Sequence, residues 1–188
     1  AVPTGALTFC VDRFRTYTFG AGRLTASQVV DSSHPYGFRN NLTHTVTTAD
    51  TALLSTDETC VAHPVEGYNV QDFVGRAFTV SFWVRSSKIG TYCLTVATNA
   101  AGNSFVAEYA VYAANTWEFK TITVPGGIPA GFSNDYGAGV GLSVVWTLAA
   151  GPNLTGALGW NTGNKIATAS QVNLLDTVGN TVAITGVQ

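Results

Sequence analysis

Trp83 and Arg85 stand two residues apart in FTVSFWVRS, so on an extended chain an indole and a guanidinium share one side, among the Thr and Ser residues of neighbouring positions. An aromatic plane set among hydroxyls can stack on the apolar face of a pyranose ring, while hydroxyl, amide and guanidinium groups bond the ring's equatorial fringe. The alternative for such an indole is cover by a loop or by a second subunit. Two other aromatic residues have similar neighbours. Tyr136 follows Asn134-Asp135 in PGGIPAGFSNDYGAGVG, and Trp160 precedes Asn161 in GPNLTGALGWNTGN. Trp160 lies between Gly159 and Gly163, in a predicted loop that gives a large indole little to pack on. The candidate glycan-binding residues are therefore Trp83, Arg85, Tyr136, Trp160 and Asn161. Trp117 shares its parity with Phe119 and is assigned to the core.

Catalytic chemistry is not signalled, and a non-enzyme is expected. Glycoside hydrolysis needs two carboxylates across a cleft. The acidic residues here, such as Asp12, Asp31, Asp50, Asp57 and Asp135, fall mostly in predicted turns, where capping and Asx-turn roles are the default. No GxSxG, phosphate-binding loop or EF-hand spacing occurs. Asp57-Glu58 and Asn134-Asp135 are the two places where loop oxygens could hold a structural Ca²⁺; otherwise no cofactor is expected. His34, His44 and His63 form no HxH or HxxxH pair, and Cys10, Cys60 and Cys93 are odd in number with no CxxC spacing. Neither a zinc site nor a disulfide framework is indicated, and three free thiols are expected. His44 falls on the inward parity of its strand, which predicts a hydrogen-bonded core histidine.

Composition narrows the partners. Charged residues make up 11% of the 188, far below the roughly 25% of an ordinary domain, and the net charge is −2. Without a basic run there is no electrostatic footprint for nucleic acid, and without about 18 consecutive apolar residues there is no predicted membrane-spanning helix. A surface of Thr, Ser, Asn and Gly fits neutral glycans or burial in an assembly.

Alternation of apolar and polar residues predicts the elements. Residues 78–85 set Phe78, Val80, Phe82 and Val84 inward. With residues 91–96 they read as a β-hairpin placing Val84 opposite Tyr92 and Phe82 opposite Leu94. Strands are also expected near residues 7–11, 13–19, 24–30, 41–48 and 140–148, and over 171–178 and 181–187. A second hairpin joins 105–112 to 116–124, with a bulge near Lys120-Thr121. Residues 49–57 are the one plausible short helix. Short strands and glycine-rich turns argue for a single all-β domain over 1–188, an antiparallel β-sandwich of jelly-roll form, read as a piece of something longer.

The run VEGYNVQDFVGRAFTVSFWVRSSKIGTYCLTV, followed by NTWEFKTITV and ending ITGVQ, resembles the jelly-roll domains of bacteriophage tail-fibre and virion-spike proteins. Those are similar in turn to the β-sandwich carbohydrate-binding modules of polysaccharide-degrading enzymes. The shared features are Gly75, the strand from Phe78 to Arg85, the Trp117 that opens a later strand, and the closing segment from Ile184 to Gln188. VDRFRTYTFGAG and HTVTTAD also look like the phage-type domains. The resemblance implies a host-receptor domain of a fibre or spike. Its expected partners are a bacterial surface polysaccharide and other virion proteins, its expected state a homotrimer, and its expected location the virion, assembled in the host cytoplasm and acting outside the cell. A module from a secreted enzyme and a purely structural virion domain are the alternatives.

Overall fold

The computed structural model describes residues 8–11, 13–31, 33, 37–98, 102–130, 132 and 137–188. Twelve strands are present among them. They are β1 (Thr8–Phe9), β2 (Arg15–Phe19), β3 (Arg23–Val30), β4 (Asn40–Thr48), β5 (Glu58–Glu66), β6 (Phe78–Ser86), β7 (Gly90–Thr98), β8 (Asn103–Val111), β9 (Glu118–Val124), β10 (Val140–Ala150), β11 (Gly159–Thr162) and β12 (Thr181–Thr185). All pairings between them are antiparallel. One sheet has seven strands in the order β1-β2-β5-β10-β7-β8-β11, and the other has five in the order β3-β4-β12-β6-β9. The fold is an antiparallel β-sandwich of jelly-roll type.

The inner faces meet where the alternation predicts. Phe82, Val84, Leu94, Val96, Trp146 and Leu148 are fully buried. Phe82 of the smaller sheet sets its ring edge-on against Trp146 (5.5 Å, 88°) and Tyr109 (5.2 Å, 80°) of the larger one, so a single side chain bridges the layers. Leu42, His44 and Val46 are buried on β4 as expected.

The strand partners differ from those predicted. Residues 78–96 are not a hairpin: β6 pairs with β12 and β9, whereas β7 pairs with β10 and β8. Residues 87–89 instead carry the chain across the end of the sandwich. The turn is fixed by Ser86 Oγ with Tyr92 Oη (2.9 Å), by Tyr92 Oη donating to the Lys88 carbonyl (2.9 Å), and by the Ser87 amide donating to the Thr181 carbonyl (3.0 Å). Two amphipathic strands joined by a short loop present the same alternation whether they lie side by side or face each other across a core. The second predicted hairpin fails in the same way, since β8 and β9 belong to different sheets. There is no bulge near Lys120, and β9 pairs with β6 in unbroken register. Ile122 and Val124 face inward while Phe119 faces out, which is the ordinary alternation of one unbroken strand.

Three smaller expectations are also corrected. Residues 49–57 form turns rather than a helix, because the Asp57 carboxylate accepts the Leu54 amide (2.8 Å) and Asp50 accepts those of Ala21 and Gly22 (3.1 and 3.3 Å). Residues 171–178 hold a one-turn 3₁₀ helix, Leu174–Asp176, capped by the Asn173 side chain, and no strand. Residues 151–164 contain β11, paired to β8.

Cys60 and Cys93 are buried, Cys10 is partly buried, and all three are unbridged. Titration of the denatured, non-reduced protein should find three thiols; a value of one would establish a disulfide.

Candidate functional site

The outer face of the seven-stranded sheet is covered over one half and open over the other. Residues 163–172 lie across β7 and β8. There Thr95 Oγ1 donates to the Ile166 carbonyl (3.1 Å), Ser104 Oγ to the Gly163 carbonyl (2.9 Å), and the Cys93 amide to Gln171 Oε1 (2.7 Å). That cover buries Cys93, Thr95 and Val106 although they point away from the core. Over β2, β5 and the first half of β10 the sheet is left open as a groove of about 310 Å³, with Asn164 and Ile166 of the covering segment along its edge.

Strand pairing dictates what the groove presents. On β2, Thr16 and Thr18 turn inward, so Arg15 and Tyr17 face out; their partners are Ala62 and Cys60, and these pair in turn with Val145 and Thr147. Tyr17 packs on the small apolar floor of Cys60, Ala62 and Val145. Arg15, Glu58, Ser143 and Asn164 add a guanidinium, a carboxylate, a hydroxyl and an amide to the lining. A second recess of about 230 Å³ adjoins through Arg15 and Val140 and ends at the solvent-exposed Arg13–Glu66 ion pair (3.3 Å). Burial pushes the Glu58 carboxyl above its ordinary value, opposed by a hydrogen bond from Asn164. The Cys60 thiol is held well above its usual range by burial and by the nearby Glu58 charge, so it is a neutral part of the floor rather than a nucleophile. An aromatic ring on an apolar floor, rimmed by donors and acceptors, is a surface for a polyhydroxylated ligand.

The candidates read from the sequence do not converge on this groove. Trp83 lies on the outer face of the other sheet, partly exposed and paired with Phe119 of β9 (5.3 Å between rings). Arg85 shares that face, but its guanidinium is held between the Asp31 carboxylate (2.8 Å) and the Trp117 ring (5.0 Å) and acts as a clamp. Trp117 is therefore on the outer face and not in the core. Trp160 is not at a loop tip; it sits in β11, opposite Phe105, with its ring edge-on to Phe105 (5.6 Å) and Phe132 (5.2 Å). The Asn161 side chain is spent on its own turn, accepting the Ala157 amide (3.1 Å) and donating to the carbonyls of Ala157 and Gly159 (both 2.9 Å). Tyr136 and the Asn134-Asp135 cluster lie outside the described residues. Of the other pair considered for Ca²⁺, Asp57-Glu58, the Asp57 carboxylate accepts the Leu54 amide within its turn and Glu58 lines the groove. Arg15 and Tyr17 are not among the candidates, although the pattern RTYTF, with threonines at the inward positions and large side chains outside, signals them.

No family model and no curated protein matches the chain. Among solved structures it is similar to the enzymatically active domain of tailspike protein 4 from bacteriophage CBA120 (TM-score 0.54, 13% identity), over 93% of this chain and 19% of that one. It is also similar to a family 11 carbohydrate-binding module of Clostridium thermocellum, solved in complex with a β-1,3-1,4-mixed-linked tetrasaccharide (TM-score 0.52, 12% identity), over 94% of this chain and 88% of the module. The chain thus spans about a fifth of the solved tailspike domain and most of the module. At these identities the likeness is one of fold: an antiparallel β-sandwich that a phage tailspike and a carbohydrate-binding module share with this protein.

Proposed function

We propose that this domain binds a bacterial surface polysaccharide, without catalysis, as the receptor-binding part of a phage tail fibre or virion spike. The groove over β2, β5 and β10 carries the reading, because it sets an aromatic ring and four kinds of polar group along one open channel. Hydrolysis is disfavoured by spacing. The two carboxylates along the channel, Glu58 and Glu66, are eight residues apart on one strand, roughly 26 Å at about 3.3 Å per residue, against the roughly 5–10 Å that glycoside hydrolysis uses. In this reading the domain acts outside the cell on an assembled virion, alongside other virion proteins, and the low surface charge suits packing of three copies about a fibre axis. The same groove would serve a module of a secreted polysaccharide-degrading enzyme, a second reading favoured by the near-complete overlap with the family 11 module.

Tyr17→Ala and Arg15→Ala test the groove. Each should weaken binding to purified host polysaccharide by about tenfold or more, while the melting temperature moves by only a few degrees. If both variants bind as the parent does, the groove is not the site.

A further inference from the structure

We propose that the outer face of the five-stranded sheet carries a second sugar-ring site, in the recess between Phe38, Trp83 and Phe119, so that the domain holds saccharide on two opposite faces. The recess, about 360 Å³, is lined by those three rings with Gly186 and Gln188, a size within the range of small-molecule sites. Its construction is specific. β6 pairs with β12 as far as Trp83–Thr185, but the next backbone pair is Ser81 with Gln188, two hydrogen bonds of 2.9 Å, so one extra residue has been inserted on the β12 side. Gly186 takes up that insertion at φ +60°, the left-handed conformation of a bulge. Because Gly186 has no side chain, the Phe38 ring lies directly on its backbone; a Cβ there would meet that ring at 2.8 Å. The bulge thus makes one wall of the recess and brings Gln188, an exposed amide, to its rim.

The lining selects the ligand class. Trp83 and Phe119 are tilted by 48° at 5.3 Å and form one continuous aromatic ledge, with Phe119 51% exposed. An open ledge suits the flat apolar face of a sugar ring better than an acyl chain, which needs an enclosed channel. No charged side chain lines the recess, and Arg85, on the same face, is engaged by Asp31 and Trp117, which disfavours anions. One step along the strands, Ser81 and Thr121 face each other on the same surface and place hydroxyls beside the ring ledge. The recess stands on this geometry alone, whereas saccharide on both faces rests also on the groove reading.

The test follows the Trp83 indole N–H resonance of the domain, with the buried Trp146 as internal control. The probes are methyl β-glucopyranoside, methyl α-galactopyranoside, methyl α-rhamnopyranoside and the mixed-linked glucan tetrasaccharide. At least one probe should shift the Trp83 and Gly186 signals saturably and leave Trp146 unmoved. Phe119→Ala, at an exposed position, should weaken that response by about tenfold, whereas Tyr17→Ala in the groove should leave it unchanged. A saturable Trp83 response that survives when Tyr17→Ala has no effect on polysaccharide binding supports the recess even as the groove reading fails. No saturable shift with any probe, an equal response in Phe119→Ala, or loss of the response in Tyr17→Ala would each overturn the recess.

Discussion

Phe82→Ala is expected to cost about 3–5 kcal/mol, the range for deleting a buried Phe that leaves a cavity. For a domain of this size that corresponds to a fall of about 6–20 °C in melting temperature. The expectation comes from geometry: Phe82 is fully buried, and its edge-to-face contacts with Trp146 and Tyr109 join the two layers. Its neighbour Trp83 is a larger residue, yet it faces outward onto Phe119, and Trp83→Ala should cost under about 2 kcal/mol. Urea unfolding of both variants checks the pair. A Trp83→Ala variant less stable than Phe82→Ala would mean that the strand's inward and outward faces are reversed.

The second large effect is a loss of stability in mild acid caused by His44. Its ring is fully buried between the sheets; Nε2 meets Thr16 Oγ1 at 2.8 Å, Thr16 Oγ1 meets Cys10 Sγ at 2.7 Å, and Nδ1 has no partner among the described residues. Protonation would place a charge in the core and leave an N–H unmatched, and burial lowers the folded value to about 4. The unfolded imidazole takes up its proton near pH 6.5. Between about pH 6.5 and 4 the unfolded chain therefore holds more protons than the folded one, and stability falls as the pH falls through that window. The total is about 3 kcal/mol, fully present above pH 7. Glu58, whose carboxyl is raised by burial, acts with the opposite sign, so the measurement must be differential. The fall in unfolding free energy between pH 7 and pH 4 should be about 3 kcal/mol smaller in His44→Gln than in the parent. Equal acid sensitivity of the two proteins would show that His44 is not the group responsible.

How much was legible depends on how local each cause is. Whether a residue points inward follows from its own polarity and that of its neighbours two positions away, because burying one face of a strand is a local partition between water and core. Hence the inward set of Phe82, Val84, His44, Leu142 and Trp146 could be read directly, and with it the all-β sandwich and the place of Trp83 on the reverse face. Which strands share hydrogen bonds is a different matter. Backbone donors and acceptors are the same at every residue, so the chain at residues 86–90 gives no sign that it crosses to the opposite sheet rather than folding back in a hairpin. The same choice recurs between β8 and β9, which removes the second hairpin, and the unbroken alternation along β9 removes the bulge near Lys120 and sets Trp117 on the outer face.

Cover is also a tertiary property. Trp160, between two glycines, looked exposed because the rings that receive it, Phe105 and Phe132, lie 55 and 28 positions earlier in the chain. Cys93 and Thr95 sit on an outer face yet are buried, because residues 163–172 return over them. The groove is the complement of that return: it exists where the segment stops short, and its residues come from β2, β5, β7 and β10 and from Asn164 and Ile166 of the segment itself. The inward and outward faces of the strands follow from side-chain type at a period of two, and the weakly charged, hydroxyl-rich surface from composition, so both are legible in the chain. Which strands share a sheet, and which outer faces stay open, depends on where distant segments lie once the strands have paired, and that is a property of the fold.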